Sequence, residues 1–537
     1  MDLKYSFPSR RSAVMSNRGI VATSQPLAAQ AGISMLSQGG NAVDAAIATA
    51  AALNVVEPMM TGLGGDAFAL VYLSGSDQLQ ALNASGRAPY KTSVNTLRNL
   101  GYKEMPNTGI HTVTIPGTLD GWCSLLDKYG TMNLSQVLVP AIELAEHGFP
   151  VTEIIARTWK MYSANLQRNA NATRTYLPAG KAPKSGDVIV QPDLATTFRK
   201  IAEGGRDVFY RGEIAEAIVA CSQENGGLIT MQDLNDHAST WLTPISTNYR
   251  GYDIYECPPN GQGLLVLLAL NILEGYDVQS LGHNSAEYLH LLIETIKLAF
   301  ADASRYVADP DFADLPLEEL LSKSYAERGR ILINMNKARQ AVETSILDAE
   351  GDTIYLAVTD KDGNSVSFIN SLYEWFGSGI VVGDTGICLQ NRGSLFTLEV
   401  GHPNCIEPHK RPYHTIIPAM VFRDGHLFLS FGVMGGFMQP QGHIQVLLNI
   451  IDFGMGVQTA LDAPRFKYIR GNECAFEPTI HPHVVQELAD KGHKVIELDD
   501  PYSQEFGGGQ VIMVHPTTKA LIAGSDPRKD GCAIGSW

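Results

Sequence analysis

The sequence lacks any long hydrophobic run and any block of positive charge. Its longest apolar stretches, residues 45–56 and 264–273, are shorter than the roughly 18 residues that a membrane span requires. No run of five basic residues occurs in the chain, which has 537 residues and a formal net charge of −16. We therefore expect no membrane insertion and no nucleic-acid partner, because both depend on features that are missing here.

Features of secreted proteins are also absent. The seven cysteines are scattered without a C-x-x-C spacing, which argues against a disulfide framework or a zinc ribbon, so we expect them to be small buried side chains. Residues 1–18 contain charges but no apolar segment of the kind found in secretory signals. The expected compartment is the cytoplasm.

Several common catalytic motifs are missing. The sequence has no G-x-S-x-G elbow, no G-x-x-x-x-G-K-[ST] loop and no strand-bounded G-x-G-x-x-G, which removes the usual support for serine-elbow, P-loop and dinucleotide chemistry. The histidines between residues 402 and 443 show neither a helical i, i+4 pair nor an H-E-x-x-H spacing; they are His402, His409, His414 and His443. No metal site and no cofactor are expected.

The pattern of apolar residues divides the chain near residue 350. Before that point, residues 26–56 predict a pair of helices, and residues 60–66 predict a glycine-rich turn in close contact with other backbone. This turn leads into a strand with alternating apolar residues at 68–72, and residues 117–240 and 285–345 predict mainly helices. After it, strands are predicted at 353–359, 365–373, 416–422, 426–431 and 511–515. Residues 360–364 predict a hairpin turn and not a calcium loop, because Gly363 comes two positions early and Ser371 stands where a glutamate ligand is needed.

Thr353 follows Gly351-Asp352 directly before the first clear strand of the second region. A threonine that opens a strand is ordinarily a structural residue. It becomes a nucleophile only if the bond before it is cut, since the new α-amine can then act as the base for its own hydroxyl.

A set of motifs spread over the chain resembles the gamma-glutamyltransferase family. The motifs of the first region are Ala28-Ala29, residues 39–46, residues 62–66 and Gly86-Arg87-Ala88-Pro89; those of the second are Asp352-Thr353, residues 358–367, residues 376–380, Lys410-Arg411-Pro412 and Gly435-Gly436. Their order matches the family's large and small subunits over nearly the whole chain.

The resemblance implies an N-terminal nucleophile hydrolase of the α+β class, with a four-layer αββα sandwich. It implies a precursor that cuts itself between Asp352 and Thr353. The products would be a helix-rich large subunit, residues 1–352, and a strand-rich small subunit, residues 353–537, that share one fold. Whether two such heterodimers associate is left open.

By the same resemblance, several positions have expected roles. Thr353 is the nucleophile, Ser371 orients it, and the backbone N–H groups of Gly435 and Gly436 form the oxyanion hole. Arg87 corresponds to the family arginine that holds the substrate carboxylate.

Departures from the family pattern bear on the substrate. Leu395 replaces the aspartate that binds the donor's α-ammonium, Arg392 replaces a neutral amide, and Tyr373 replaces a small polar residue. His414-Thr415 replaces a Ser-Ser pair that contacts the glutamyl group. A site with arginine and without the aspartate favours an anionic acyl group that has no ammonium nearby.

These departures resemble a divergent branch of gamma-glutamyltransferase-like, cephalosporin acylase-like and oxamate amidohydrolase proteins. We therefore expect hydrolysis of a small carboxylate-bearing amide, oxamate-like or a dicarboxylic acyl amide. The short segment between Leu395 and His414 also favours hydrolysis over transfer. Glutathione hydrolysis or gamma-glutamyl transfer, a catalytically inactive binding homologue and a metal-dependent hydrolase are the alternatives.

Overall fold

The computed structural model describes residues 11–76, 78–339, 351–498 and 504–537. The predictions made for residues 1–10 and 340–345 lie outside these ranges. None of the helices within the described ranges has both the length and the apolar character needed to cross a bilayer.

The described residues form 21 strands and 19 α-helices. In chain order, strands β1 to β21 are Val14–Ser16, Gly19–Thr23, Asp66–Leu73, Gln78–Ala84, Phe149–Pro150, Val188–Ile189, Thr240–Leu242, Ile245–Tyr249, Tyr252–Glu256, Asp352–Asp360, Ser365–Tyr373, Val381–Val382, Ile387–Cys388, Ala419–Arg423, His426–Met434, Phe466–Arg470, Glu473–Phe476, Lys494–Val495, Gly508–Val514, Leu521–Ser525 and Cys532–Gly535. Helices α1 to α19 are Pro26–Ser37, Ala42–Val56, Val94–Asn99, Thr118–Tyr129, Leu134–Val137, Val139–His147, Glu153–Leu166, Ala170–Tyr176, Pro192–Tyr210, Glu213–Glu224, Met231–Asn235, Gly263–Leu273, Val278–Leu281, Ala286–Tyr306, Leu317–Leu320, Lys323–Ile331, Met438–Ile451, Val457–Asp462 and Pro482–Asp490. Short 3₁₀ turns cover Ile110–Thr112, Pro178–Gly180, Arg392–Leu395 and Gln504–Phe506.

Two antiparallel seven-stranded sheets form the centre of the fold. Sheet I has the order β1-β20-β19-β15-β14-β9-β8, and sheet II has the order β21-β2-β10-β11-β3-β4-β7. The other strands pair in small ribbons, β12 with β13, β5 with β6, and β16 with β17 and β18.

The side chains of β10 show how the layers stack. Ile354, Leu356 and Val358 belong to the apolar cluster between sheet II and helices such as α1, α2, α4 and α6. Tyr355 and Ala357 point the opposite way, into the cluster between the two sheets. A third cluster packs helices α12, α14 and α17 on sheet I. These four layers confirm the predicted αββα sandwich.

The predicted helix pair is confirmed as α1 and α2, and its boundaries have local causes. The Gln25 side chain accepts hydrogen bonds from the first turn of α1, and Pro26 occupies the first helical position. Asn41 and Asp44 form a capping box at the start of α2.

Both regions of the chain contribute strands to both sheets. Seven strands from the described residues before 350 join the two sheets, so the first region contains more strands than the sequence predicted. The central strands β10 and β11 lie between β2 and β3, which come from the first region. Fully buried strands such as β2 have no alternating pattern, which explains why the sequence did not reveal them.

Cysteine burial is confirmed for six residues, whereas Cys532 is only partly buried. The reason is its position on β21, which lies at the edge of sheet II.

The predicted hairpin turn is confirmed between β10 and β11, and Asp360 organises it. One Asp360 carboxylate oxygen accepts from the N–H groups of Asp362 and Asn364, at 2.9 and 3.0 Å. The other accepts from the Ala42 N–H at 3.0 Å, at the start of α2. Asp360 is only 4% exposed, so one side chain closes the hairpin and caps a helix from the other region of the chain.

We expect Asp360→Ala to lower the free energy of unfolding by about 2 kcal/mol, because it leaves buried N–H groups without an acceptor. Thermal or urea unfolding measures this. The matched control is Asp362→Ala in the same turn, where the residue is exposed and the expected change is below about 0.5 kcal/mol. Equal loss in the two variants would contradict the capping role.

Candidate active site

Most residues that the sequence predicted for the site lie at one end of the central strands. Thr353 is the second residue of β10, and Ser371 and Tyr373 are near the end of β11. Gly435 and Gly436 follow β15, and Thr415 comes shortly before β14. The sandwich brings these strand ends together because β10 packs against β15 across the sheet interface.

The Thr353 hydroxyl is buried and hydrogen-bonded to two side chains. It donates to Ser371 Oγ at 3.3 Å and accepts from Gln439 Nε2 at 3.2 Å. Ser371 Oγ in turn accepts from the Tyr373 N–H at 2.7 Å. Thr353 is 1% exposed, so its hydroxyl lies in a defined polar environment and not in solvent.

A register shift places these side chains. Asp352 pairs with Tyr373 and Ile354 pairs with Asn370, so Ser371 and Leu372 face a single residue, Thr353. Such a bulge changes the direction of side chains next to it. Tyr373 also has a φ of 79°, which is strained for a residue with a side chain and is often found at functional sites.

The predicted close approach of the glycine-rich turn at residues 60–66 is confirmed. A Cβ added at Gly65 would lie 2.3 Å from the Ser371 carbonyl oxygen, and one added at Gly64 would lie 2.0 Å from that of Cys388. Only glycine permits this contact, which fixes the end of β11.

Gly435 and Gly436 form a turn beside the segment that precedes Thr353. Both have positive φ, 122° and 56°. A Cβ on Gly436 would lie 3.1 Å from the Gly351 carbonyl oxygen and 3.2 Å from its Cα. Among the described residues, neither glycine N–H has a hydrogen-bond acceptor, so both can stabilise a developing negative charge.

Arg392 is a buried cation with unused donors. Its Nη1 donates to Thr415 Oγ1 at 2.7 Å, and its guanidinium lies 4.4 Å from the centre of the Tyr373 ring. Its Nε and Nη2, like the Tyr373 hydroxyl, have no hydrogen-bond partner among the described residues. Burial lowers the pKa of Arg392 to about 10, which still leaves it charged at neutral pH.

Asp66, which the sequence showed only as part of a motif, connects this site to its surroundings. Its carboxylate accepts from the Gly86 N–H, Gln390 Nε2 and His414 Nε2, each at 2.9 Å. The Nε of Arg392 lies 3.8 Å away, close enough for charge attraction but not for a hydrogen bond.

His414 is neutral and acts as a donor. Burial and the nearby Arg392 charge lower its pKa to about 3, against the opposing effect of Asp66. Because Asp66 can only accept, His414 carries its proton on Nε2, which leaves Nδ1 to face the Ile416 N–H at 3.4 Å.

Arg87 follows Gly86, which donates to Asp66, and forms an ion pair of its own. Its guanidinium is 3.9 Å from the exposed Asp311 carboxylate and is partly exposed itself. Within the described ranges, no hydrogen bond links it to Thr353 or to Arg392. Leu395, by contrast, belongs to the apolar cluster that includes Tyr373 and Tyr413.

Two buried glutamines complete the site, and sequence reasoning missed both. Gln439 follows the Gly435-Gly436 turn by three residues. Gln262 donates to the carbonyl oxygens of Thr415 and Gly436, at 2.6 and 3.0 Å. Neither glutamine shows a periodicity or spacing that would have identified it.

The histidines of the predicted region do not cluster, but another group of possible metal ligands exists. Oxygen and nitrogen atoms of His290, Glu294 and His493 lie within 4.8 Å of one another. The two imidazoles are hydrogen-bonded to each other at 2.8 Å, and Lys297 lies 2.8 Å from Glu294. A cation there would compete with this ammonium, so the arrangement fits a structural network.

Comparison with known proteins identifies the family of the chain. Residues 28–536 match the family model described as gamma-glutamyltranspeptidase. The chain is 40% identical to the glutathione hydrolase-like YwrD proenzyme of Bacillus subtilis, covering 97% of this chain and 99% of that protein. It is 33% identical to the oxamate amidohydrolase proenzyme of Klebsiella pneumoniae, covering 98% and 99%.

A solved structure has the same fold over the full length of this chain. The crystal structure of cephalosporin acylase from Bacillus halodurans superposes with a TM-score of 0.93 at 44% identity, and covers 100% of this chain and 99% of that one. These relatives are named as hydrolases, and the predicted enzyme class is confirmed. The chain belongs to the gamma-glutamyltranspeptidase family of N-terminal nucleophile hydrolases.

Proposed function

We propose that the chain cuts itself before Thr353 and then uses this residue as the N-terminal nucleophile of an amidohydrolase. The observation that carries the proposal is the position of Gly351, which lies against Gly436. Gly351 comes two residues before Thr353, whose hydroxyl is hydrogen-bonded to Ser371. The segment to be cut therefore lies against the glycine turn, whose two N–H groups have no acceptor among the described residues. The relatives' description as proenzymes supports the same reading.

The cut follows from the chemistry of one residue. The Thr353 Oγ attacks the Asp352 carbonyl carbon, a C–O bond forms, the C–N bond breaks, and the hydroxyl proton moves to the nitrogen. Water then hydrolyses the ester, so that Asp352 ends in a carboxylate and Thr353 regains its hydroxyl. The new α-amine, with a usual pKa of about 7.7 to 8.0, serves as the base in later turnovers.

The products would be residues 1–352 and 353–537, and they would stay together. β10 pairs with β2 and β11 pairs with β3, so the hydrogen bonds of sheet II join the two parts. The cytoplasmic compartment and an association of two heterodimers stay predictions.

The substrate proposed is a small amide with a carboxylate near the bond that is cut. Arg392 supports this choice, because it is a buried cation whose Nε and Nη2 are unused, a geometry suited to a carboxylate. Tyr373 adds a hydroxyl without a partner beside it. Oxamate, named for one relative, has a carboxylate attached directly to its amide.

Gamma-glutamyl compounds are the second candidate, since one relative is named glutathione hydrolase-like. Leu395 weighs against them, because its apolar side chain stands where the family's ammonium-binding aspartate is expected. The substrate's ammonium would then lie near Arg392 without a counter-charge.

Thr353→Ala is expected to leave one chain of 58.2 kDa without activity. The wild type should give fragments of about 38 and about 20 kDa by share of residues, the smaller beginning at Thr353. Intact mass and N-terminal sequencing after incubation at pH 8 measure this. Thr353→Ser keeps a hydroxyl and should still be cut, whereas normal cutting of Thr353→Ala would rule out the mechanism.

Arg392→Gln, which restores the family's neutral amide, should raise the KM for oxamate about tenfold or more, with a smaller change in kcat. The reason is the loss of charged hydrogen bonds worth about 1.5 to 3 kcal/mol. Steady-state kinetics with oxamate and with its uncharged ester provide the comparison, and the ester should not respond. An effect confined to Arg87→Gln would move the carboxylate site to Arg87.

Leu395→Asp in the Arg392→Gln background should shift the preference toward gamma-glutamyl amides. The new carboxylate pairs with the substrate ammonium, and we expect kcat/KM for gamma-glutamyl-p-nitroanilide to rise about tenfold relative to Arg392→Gln alone. Leu395→Asn is the uncharged control. Equal gains from aspartate and asparagine would contradict the ammonium argument.

A further inference from the structure

Besides Ser371, the Gln439 side chain is hydrogen-bonded to the Thr353 hydroxyl, and the family motifs that marked the other site residues do not include Gln439. It is fully buried and stands in the first turn of α17, directly after the glycine turn. Its Nε2 lies 3.2 Å from Thr353 Oγ1.

The orientation of its amide is fixed by a second contact. Gln439 Oε1 accepts from the Ile417 backbone N–H at 3.1 Å. A backbone N–H can only donate, so the oxygen of the amide must face Ile417 and the NH₂ group must face Thr353. The chain thus presents a directed donor to the hydroxyl oxygen.

The two contacts of the Thr353 hydroxyl divide its roles. Its proton points to Ser371 Oγ, and its oxygen receives the Gln439 N–H. A donor contributes most when the oxygen carries the most negative charge. In the proposed reaction that happens when Thr353 Oγ leaves the carbonyl carbon as the ester is hydrolysed.

We propose that the Gln439 amide stabilises Thr353 Oγ as the leaving group when the ester intermediate breaks, both in self-cutting and in each turnover. This rests on the proposed function, since it requires Thr353 to be the nucleophile. Gln439 itself transfers no proton. The Thr353 α-amine takes a proton from the attacking water and returns it to Oγ as the C–O bond breaks, while Gln439 donates one N–H hydrogen bond to that oxygen.

The main variant is Gln439→Met, which keeps the length of the side chain and removes the donor. We expect kcat for oxamate to fall about 10- to 100-fold, with KM within about twofold, because a hydrogen bond to a charged atom is lost. We also expect the small subunit to accumulate the mass of its acyl ester in reactions quenched with acid. Cutting before Thr353 should slow in parallel, and the uncut chain should become sensitive to hydroxylamine.

The second variant is Gln439→Glu, assayed at pH 8. It tests the proposed role of the Gln439 amide if Gln439→Met does not fold. Its carboxylate can still accept from the Ile417 N–H but offers no donor to Thr353. A purely structural role would survive this change, whereas the proposed role predicts loss of kcat and accumulation of the ester.

The matched control is Gln441→Met, on the same helix. Gln441 is also fully buried, but its amide binds the carbonyl oxygens of Phe437 and Tyr468 and the Tyr468 N–H. Its loss should lower the melting temperature and leave kcat within about twofold of the wild type.

The outcomes separate this inference from the proposed function. A wild-type chain that is not cut before Thr353 overturns both. A wild type that is cut, with a folded Gln439→Met that keeps kcat within twofold, overturns the role of Gln439 alone. Loss of kcat without an ester adduct, or an equal loss in Gln441→Met, also overturns it.

Discussion

The buried carboxylate of Asp66 is the contact on which the arrangement of the site depends. It accepts hydrogen bonds from Gly86 in the first region of the chain and from Gln390 and His414 in the second. A buried charge without partners is strongly unfavourable, so these groups are held where the carboxylate needs them. These three hydrogen bonds hold three segments around the Asp66 carboxylate. They are the loop after β4, the residues before the 3₁₀ turn at Arg392–Leu395, and the residues before β14.

Asp66 also explains how Arg392 can be buried and still available. The two charges are 3.8 Å apart, so attraction offsets part of the cost of burying the cation. No hydrogen bond forms between them, and Arg392 keeps Nε and Nη2 for another anion. If Asp66 were closer, it would occupy the arginine donors that the proposed function assigns to a substrate carboxylate.

The family resemblance implied the layers and local patterns located the central strands, but the contacts between these elements did not follow from the sequence. The strand signal at 353–359 and the helix signals around Asn41 are local, and family motifs marked Thr353 and Gly435. Gln439 and Gln262 became visible only in three dimensions, since each acts on residues far away in the chain. The strain at Tyr373 depends on the register shift with β10, which no local pattern indicates.

The segment before Thr353 lies against residues that the proposed function places in the substrate site. A Cβ added at Gly351 would lie 3.1 Å from the Tyr373 ring, and one added at Gly436 would lie 3.1 Å from the Gly351 carbonyl oxygen. Gly351 is therefore in close contact with both the Tyr373 side chain and the glycine turn, and the Arg392 guanidinium lies on the face of the Tyr373 ring. Under the proposed function, an anionic acyl group would find a buried cation beside this ring, whereas a neutral one would leave the Arg392 donors without a partner. The charge of Arg392 thus favours a carboxylate-bearing substrate in the proposed reaction.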